Sequence, residues 1–158
     1  MQSGGLLPLN AGQYYSYTVG VATPQQAFER GIVWHMIDWS ILLAVLIAVE
    51  SGGCLNPDYA VGDHGKSIGC LQIQMPVIED VNRIYGKHYS SIDRYCRETS
   101  KEICKLWLTY YGSRYTQRTG LKPTYEVYCR MWNGGYRGFF ERHHATNHYW
   151  SKCERYLK

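Results

Sequence analysis

The sequence predicts an α+β fold, predominantly α, with a small β-hairpin flanking a cleft. Three observations carry that expectation. Nine consecutive apolar residues, Ile41 to Val49, run into a carboxylate, Glu50, and then into Ser51-Gly52-Gly53. A glycine-flanked turn, Gly62-Asp63-His64-Gly65-Lys66-Ser67-Ile68-Gly69, opens onto the short apolar alternation Ile68, Leu71, Ile73. Beyond it, several stretches repeat apolar residues at helical spacing.

Taken in order, Met1 to Ala22 is rich in Gly, Gln and Tyr with no helical period and reads as a strap or tail. Thr23-Pro24 starts a short helix that Gly31 ends. Asp38 or Ser40 caps the central helix, Ile41 to Glu50. A membrane span needs roughly 20 apolar residues, and His35, Asp38 and Ser40 interrupt the run, so it reads as a helix buried on all sides. The glycine pair suits a left-handed C-cap. Met75-Pro76 opens a helix with Val77, Ile78, Val81, Ile84 and Tyr85 on one face, closed by Gly86. Ser91 begins a short helical piece, and Thr99-Ser100-Lys101-Glu102 reads as a capping box. The helix it starts carries Ile103, Trp107, Leu108, Tyr111 and Tyr115 to a stop at Gly120. Another follows Pro123 to Asn133-Gly134-Gly135, and a last one from about Thr146 shows Tyr149, Trp150, Cys153, Tyr156 and Leu157 on one side. One domain over residues 1–158 is expected, with 1–22 an extension and 39–157 the motif-bearing core.

A chain of 158 residues can bury a real core. Its net charge of +4 is scattered and no basic run is interleaved with aromatics, which argues against nucleic acid. Mild positive charge suits an anionic polymer such as a bacterial wall. The 15 tyrosines and 5 tryptophans supply rings with polar tips, which line sugar clefts as well as cores. Six cysteines leave disulfides and free buried thiols equally open. Residues 1–30 lack a basic n-region and the apolar run begins too late for a signal peptide. His143, His144 and His148 have no third ligand at suitable spacing, so no metal and no cofactor is expected.

Glu50 ends a greasy helix at the edge of the core, where apolar surroundings and the helix C-terminus both favour the protonated carboxyl. Such a group is what protonating a glycosidic oxygen requires. Asp63, 13 residues on, is a second carboxylate that the hairpin folds back toward it, or else a turn residue bonding its own backbone.

The motifs VESGG, GDHGKSIGCLQI and WNGG, in that order, resemble the lysozyme superfamily, including its lytic-transglycosylase, goose-type and invertebrate-type branches. A helix-terminal Glu, a glycine-flanked turn and a G-x-x-Q-I segment are shared with those branches. A Gly-Asp stands at this spacing in goose-type lysozymes. Cys129 to Gly135 and Tyr149-Trp150 resemble the ARxxNGG and YW elements of invertebrate-type lysozymes. The similarity covers about Trp39 to Leu157 and implies a lysozyme-like fold.

It also implies a muramidase, a glycoside hydrolase cutting the β-1,4 bond between N-acetylmuramic acid and N-acetylglucosamine in peptidoglycan. Glu50 would be the general acid, and Asp63 a base, a nucleophile or a stabilising charge. The rivals are a lytic transglycosylase forming 1,6-anhydro products, in which no second carboxylate is obligatory, and a non-catalytic peptidoglycan-binding or virion structural module. Gln72 matches the motif glutamine, whose amide bonds acetamido or hydroxyl groups of sugar, against a surface strand residue. Ser67 and Ile68 line the same stretch and offer backbone groups to sugar. Asn133 matches the asparagine of the Asn-Gly-Gly pattern, which is also a helix stop, with Trp132 where the family has Tyr or His. Tyr149 falls where transglycosylases carry a tyrosine that reaches the acid, against a plain core tyrosine. A monomer acting outside the cytoplasm, secreted, periplasmic or phage-associated, is expected.

Overall fold

The apolar run folds as helix α1, Trp39–Glu50, in a computed structural model that describes residues 37–52 and 54–158. The chain divides into two units, Met1–Trp34 and His35–Lys158, and the described residues belong to the second. The predicted strap and the Thr23–Gly31 helix lie outside the described residues. Asp38 is the cap: its carboxylate accepts from the backbone N–H of Ser40 at 2.8 Å and Ile41 at 3.3 Å.

Leu42, Leu43, Val45 and Leu46 of α1 are buried, each contributing about 2 kcal/mol on leaving water. The helix is not covered on all sides as predicted. Ile41 is 46% exposed, and Ala44 is also exposed. The run is long enough for one face to meet the rest of the fold, and its small and aliphatic residues tolerate an open outer face. Its end also differs. The C-cap is Ser51 at φ −118°, ψ 14°, with no left-handed glycine. Its N–H and hydroxyl both donate to the Ile47 carbonyl, at 3.0 and 2.8 Å. Glycine is needed at 52 for space, because a Cβ there would stand 2.3 Å from the Ala48 carbonyl oxygen.

Strands β1 (Val61–Gly62) and β2 (Ser67–Ile68) form the antiparallel hairpin, Val61 opposite Ile68 and Gly62 opposite Ser67, and Ile68 also bridges to Ile73. Ile68, Leu71 and Ile73 are buried beneath it. Helix α2 (Met75–Tyr85) has proline in its first turn, buries Ile78 and Val81, and ends at left-handed Gly86 as expected. A 3-10 turn, Ser91–Tyr95, follows.

Helix α3 (Arg97–Thr119) buries Ile103, Trp107, Leu108 and Tyr115 and stops at left-handed Gly120. It begins before the predicted capping box, from Cys96. The reciprocal cap forms earlier, where Asp93 Oδ2 accepts from the Ser90 N–H at 2.6 Å and the Ser90 hydroxyl at 2.8 Å. Thr99 and Glu102 are therefore already helical, and Glu102 pairs with Lys87 at 3.1 Å. Thr124 caps helix α4 (Tyr125–Gly134) through the Val127 N–H. Helix α5 (Asn147–Tyr156) buries Tyr149 and Cys153 and packs against α4 and α1, while Tyr156 turns outward, 58% exposed.

Two buried arginines tie the loops to this helical frame. The Arg94 guanidinium donates to the carbonyls of Lys66 and Ile73, both at 3.0 Å, and of Ser91. That fixes the hairpin to the 3-10 turn. Arg130 donates to Glu126 at 2.8 Å and, at 2.9 Å each, to the His143 carbonyl, Thr146 Oγ1 and Asn147 Oδ1. That fixes the loop between α4 and α5. All six cysteines are free thiols, four of them buried as small apolar residues. No described helix is long and apolar enough to cross a membrane.

Candidate active site

Glu50, Asp63, Ser67, Gln72 and Asn133 line one cleft of about 360 Å³, a volume ordinary for a small-ligand site. Three segments distant in sequence supply them: the end of α1, the hairpin and the end of α4. Trp107 of α3, Trp132 of α4, Ile73 and Val77 form apolar wall, and Gln74 and Arg142 add polar groups.

Glu50 is the last residue of α1. Its carboxyl is pushed up to about 7 from an ordinary 4.5, chiefly by burial, with the Asp63 charge adding to it. Tyr149, Lys152 and Trp132 pull the other way without prevailing. Tyr149 does not itself line the cleft. From α5 its hydroxyl donates to Glu50 Oε1 at 2.7 Å. Burial, then the neighbouring Glu50, holds the phenol far above its usual range, so it stays a donor. The carboxyl is thus protonated in part at neutrality and aimed by a fixed partner.

Asp63 is held differently. Its Oδ2 accepts from the Ser67 hydroxyl at 3.1 Å and the Gln74 amide at 2.9 Å, and Gln74 also donates to Ser67 at 3.0 Å. The backbone reinforces this placement. Asp63, His64 and Gly65 take φ of 48°, 54° and 90° in succession, a left-handed 3-10 turn from β1 to β2. Only the glycine enters that region without cost. Gln72 is likewise left-handed, at φ 50°. Of three non-glycine residues in this region among the described residues, two line the cleft. Retained strain of this kind clusters at functional sites.

No family model and no curated protein matches the chain. The site's own geometry must carry its reading.

The remaining predicted residues divide. Ser67 is buried and spends its hydroxyl on Asp63. Ile68 lies beneath the cleft and does not line it. Its N–H and carbonyl are both paired with Ile73, at 3.2 and 2.9 Å, so neither is offered outward. Gln72 lines the cleft, but its amide nitrogen donates to the carbonyls of Ala60 at 3.2 Å and Gly69 at 2.9 Å. What it can present is its carbonyl oxygen, and that packs on Gly62, where a Cβ would come within 2.2 Å. Asn133 is exposed on the cleft in the last turn of α4, and Gly135 at φ 74° follows as the chain leaves it. Asn-Gly-Gly thus ends the helix and leaves Asn133 at the cleft surface.

Sequence reasoning missed Gln74, Trp107 and Arg142 as cleft residues. Gln74 lies two positions past Gln72 on the far side of Ile73, a period-two signal that pointed to its face. Trp107 falls on the core face of its helix by spacing, and at 6% exposure it is buried yet still touches the cleft. Arg142 had no signal in its neighbourhood. Among the described residues no group of three His, Cys, Asp or Glu is placed to hold a metal ion. His143 sits against Phe139 and 3.9 Å from Glu126.

Proposed function

We propose that this protein cleaves the β-1,4 bond between N-acetylmuramic acid and N-acetylglucosamine in peptidoglycan, as a lysozyme-like glycoside hydrolase with Glu50 as general acid. The observation that carries this is the carboxyl of Glu50, buried at a helix end, pushed up to about 7 and facing a cleft it shares with Asp63. A protonated carboxyl can give its proton to the leaving glycosidic oxygen as the bond to the anomeric carbon breaks. Asp63, anchored in the same cleft by Ser67 and Gln74, offers negative charge to the oxocarbenium-like transition state or aligns water. Trp132, partly exposed at the cleft, supplies an apolar ring against which a sugar packs, and buried Trp107 supports it edge to face at 5.9 Å. The reaction would be met where peptidoglycan lies, outside the cytoplasm or at a phage particle.

One observation favours a second reading. The bond from Tyr149 to Glu50 is the arrangement expected of a lytic transglycosylase, in which the sugar's own 6-hydroxyl replaces water. Purified peptidoglycan digested with the protein and weighed by mass spectrometry separates the two. Hydrolysis leaves reducing muramic ends, and transglycosylation leaves anhydro ends lighter by one water. Asp63→Asn should cut hydrolysis by about 100-fold. An unchanged rate with anhydro product would move the assignment to the transglycosylase. No cleavage by the wild type, together with unaltered binding in Glu50→Gln, would leave only a wall-binding module.

A further inference from the structure

We propose that Arg142 reads a carboxylate carried by the bound glycan, and so selects an acidic polysaccharide over a neutral one of the same backbone. This rests on the glycan-cleaving reading above. Arg142 lines the cleft together with Glu50 and Asp63, and its side chain is exposed there. Its guanidinium makes no hydrogen bond or ion pair with any described residue, whereas other cations of the helical frame are engaged. Arg130 holds Glu126 at 2.8 Å, Arg137 holds Glu141 at 3.3 Å, and Arg118 lies over the Phe140 ring at 4.4 Å.

The base of the side chain is fixed even though its head is free. The Arg142 carbonyl accepts from the Thr146 N–H at 3.0 Å and from Thr146 Oγ1 at 3.1 Å. Thr146 is 1% exposed, and its hydroxyl is held in turn by buried Arg130 at 2.9 Å. A guanidinium projected from an anchored loop into a ligand cleft, with its donors unspent, is suited to a planar anion. The cleft has a use for such a cation. Asp63 takes its hydrogen bonds from neutral donors, Ser67 and Gln74, so its charge repels an acidic ligand unless a cation stands nearby.

Glycans of alternating N-acetylglucosamine and N-acetylmuramic acid differ from chitin in one charged feature. The lactyl group carries either its own carboxylate or a peptide ending in carboxylates. The chemistry read by Arg142 is that carboxylate, from either source.

The test measures binding in the Glu50→Gln background, so that no probe is consumed, with and without Arg142→Gln. Three probes are used: intact muropeptide oligomers, the same glycan stripped of peptide, and a chitin oligosaccharide. Removing one charge-assisted contact should weaken the acidic probes about tenfold and leave chitin within about twofold. Loss confined to the stripped glycan names the lactyl carboxylate, and loss confined to the muropeptide names the peptide. Arg142→Lys, which keeps the charge and loses the fork, should retain part of the preference. Equal weakening on all three probes, or no change on any, overturns the inference while the proposed function stands. If Glu50→Gln binds none of them, the proposed function fails first and this inference falls with it.

Discussion

Two carboxylates in this molecule have nearly the same neighbours and opposite fates. Asp80 of α2 accepts from the Tyr111 hydroxyl at 2.6 Å and the Trp107 indole N–H at 3.3 Å. Glu50 accepts from the Tyr149 hydroxyl at 2.7 Å, with Trp132 beside it. At Asp80 burial pushes the acid up, but Tyr111, Arg83 and Trp107 together outweigh it, and the group is held below its ordinary value. At Glu50 burial wins and the acid rises to about 7. The difference is that Asp80 has an arginine at 2.6 Å and a side chain 27% exposed. Glu50 lies deeper and feels the Asp63 charge within the same cleft. A tyrosine and a tryptophan stand at both sites and so cannot account for the difference between them. Depth and the neighbouring charges do.

The largest effect should come from removing the unusual member of the pair. In the proposed reaction Glu50→Gln lowers turnover on peptidoglycan by about 10²–10⁴-fold, measured as release of soluble fragments. The same variant gives a readout that needs no substrate. The folded state of the wild type holds an extra proton between the ordinary value of 4.5 and about 7. Its stability therefore falls as pH rises through that window and the deficit is complete above it. Glu50→Gln lacks the deficit, so near about pH 8 it should exceed the wild type by up to about 3 kcal/mol and match it near about pH 4. Urea titrations at the two pH values check this.

Next come the residues that hold the hairpin and aim the acid. Arg94→Met leaves the Lys66 carbonyl without its donor and the Ile73 carbonyl with the Ile68 N–H alone, and should cost about 2 kcal/mol in urea unfolding. Tyr149→Phe removes a bond that favours ionised Glu50. It should move the alkaline limb of the pH–rate profile upward and lower turnover about tenfold as the acid loses its aim. Asp80→Asn is the control. It should cost about 1 kcal/mol and leave that limb where it was. A shift of equal size at both sites would erase the contrast.

Much of this site was legible because its signals are local. A long apolar run ending in one carboxylate places that carboxylate at a helix end. A turn dense in glycine places Asp63 on a hairpin. Asn133-Gly134-Gly135 marks a helix end whichever role Asn133 plays. What stayed hidden depends on contacts made only after folding. Asp63 and Gln72 sit in left-handed backbone that nothing in their side chains announces. The donors on Asp63 come from Ser67 and Gln74, and the choice of Gln74 over Gln72 reflects which amide the hairpin carbonyls consume. The Thr99–Glu102 pattern falls inside α3, which already starts at Cys96, while the Ser90–Asp93 pair caps the 3-10 turn before it. Arg142 is displayed by Arg130 through Thr146, a chain of contacts without a local trace.

The most direct test of the account is the titration of one group. The carboxyl carbon of Glu50 can be followed by ¹³C NMR across the acid and neutral range, with Glu50→Gln identifying its signal. A midpoint near 7 is the predicted result. A midpoint near the ordinary 4.5 would mean that the group is ionised at neutrality, and the proposed acid would have no proton to give.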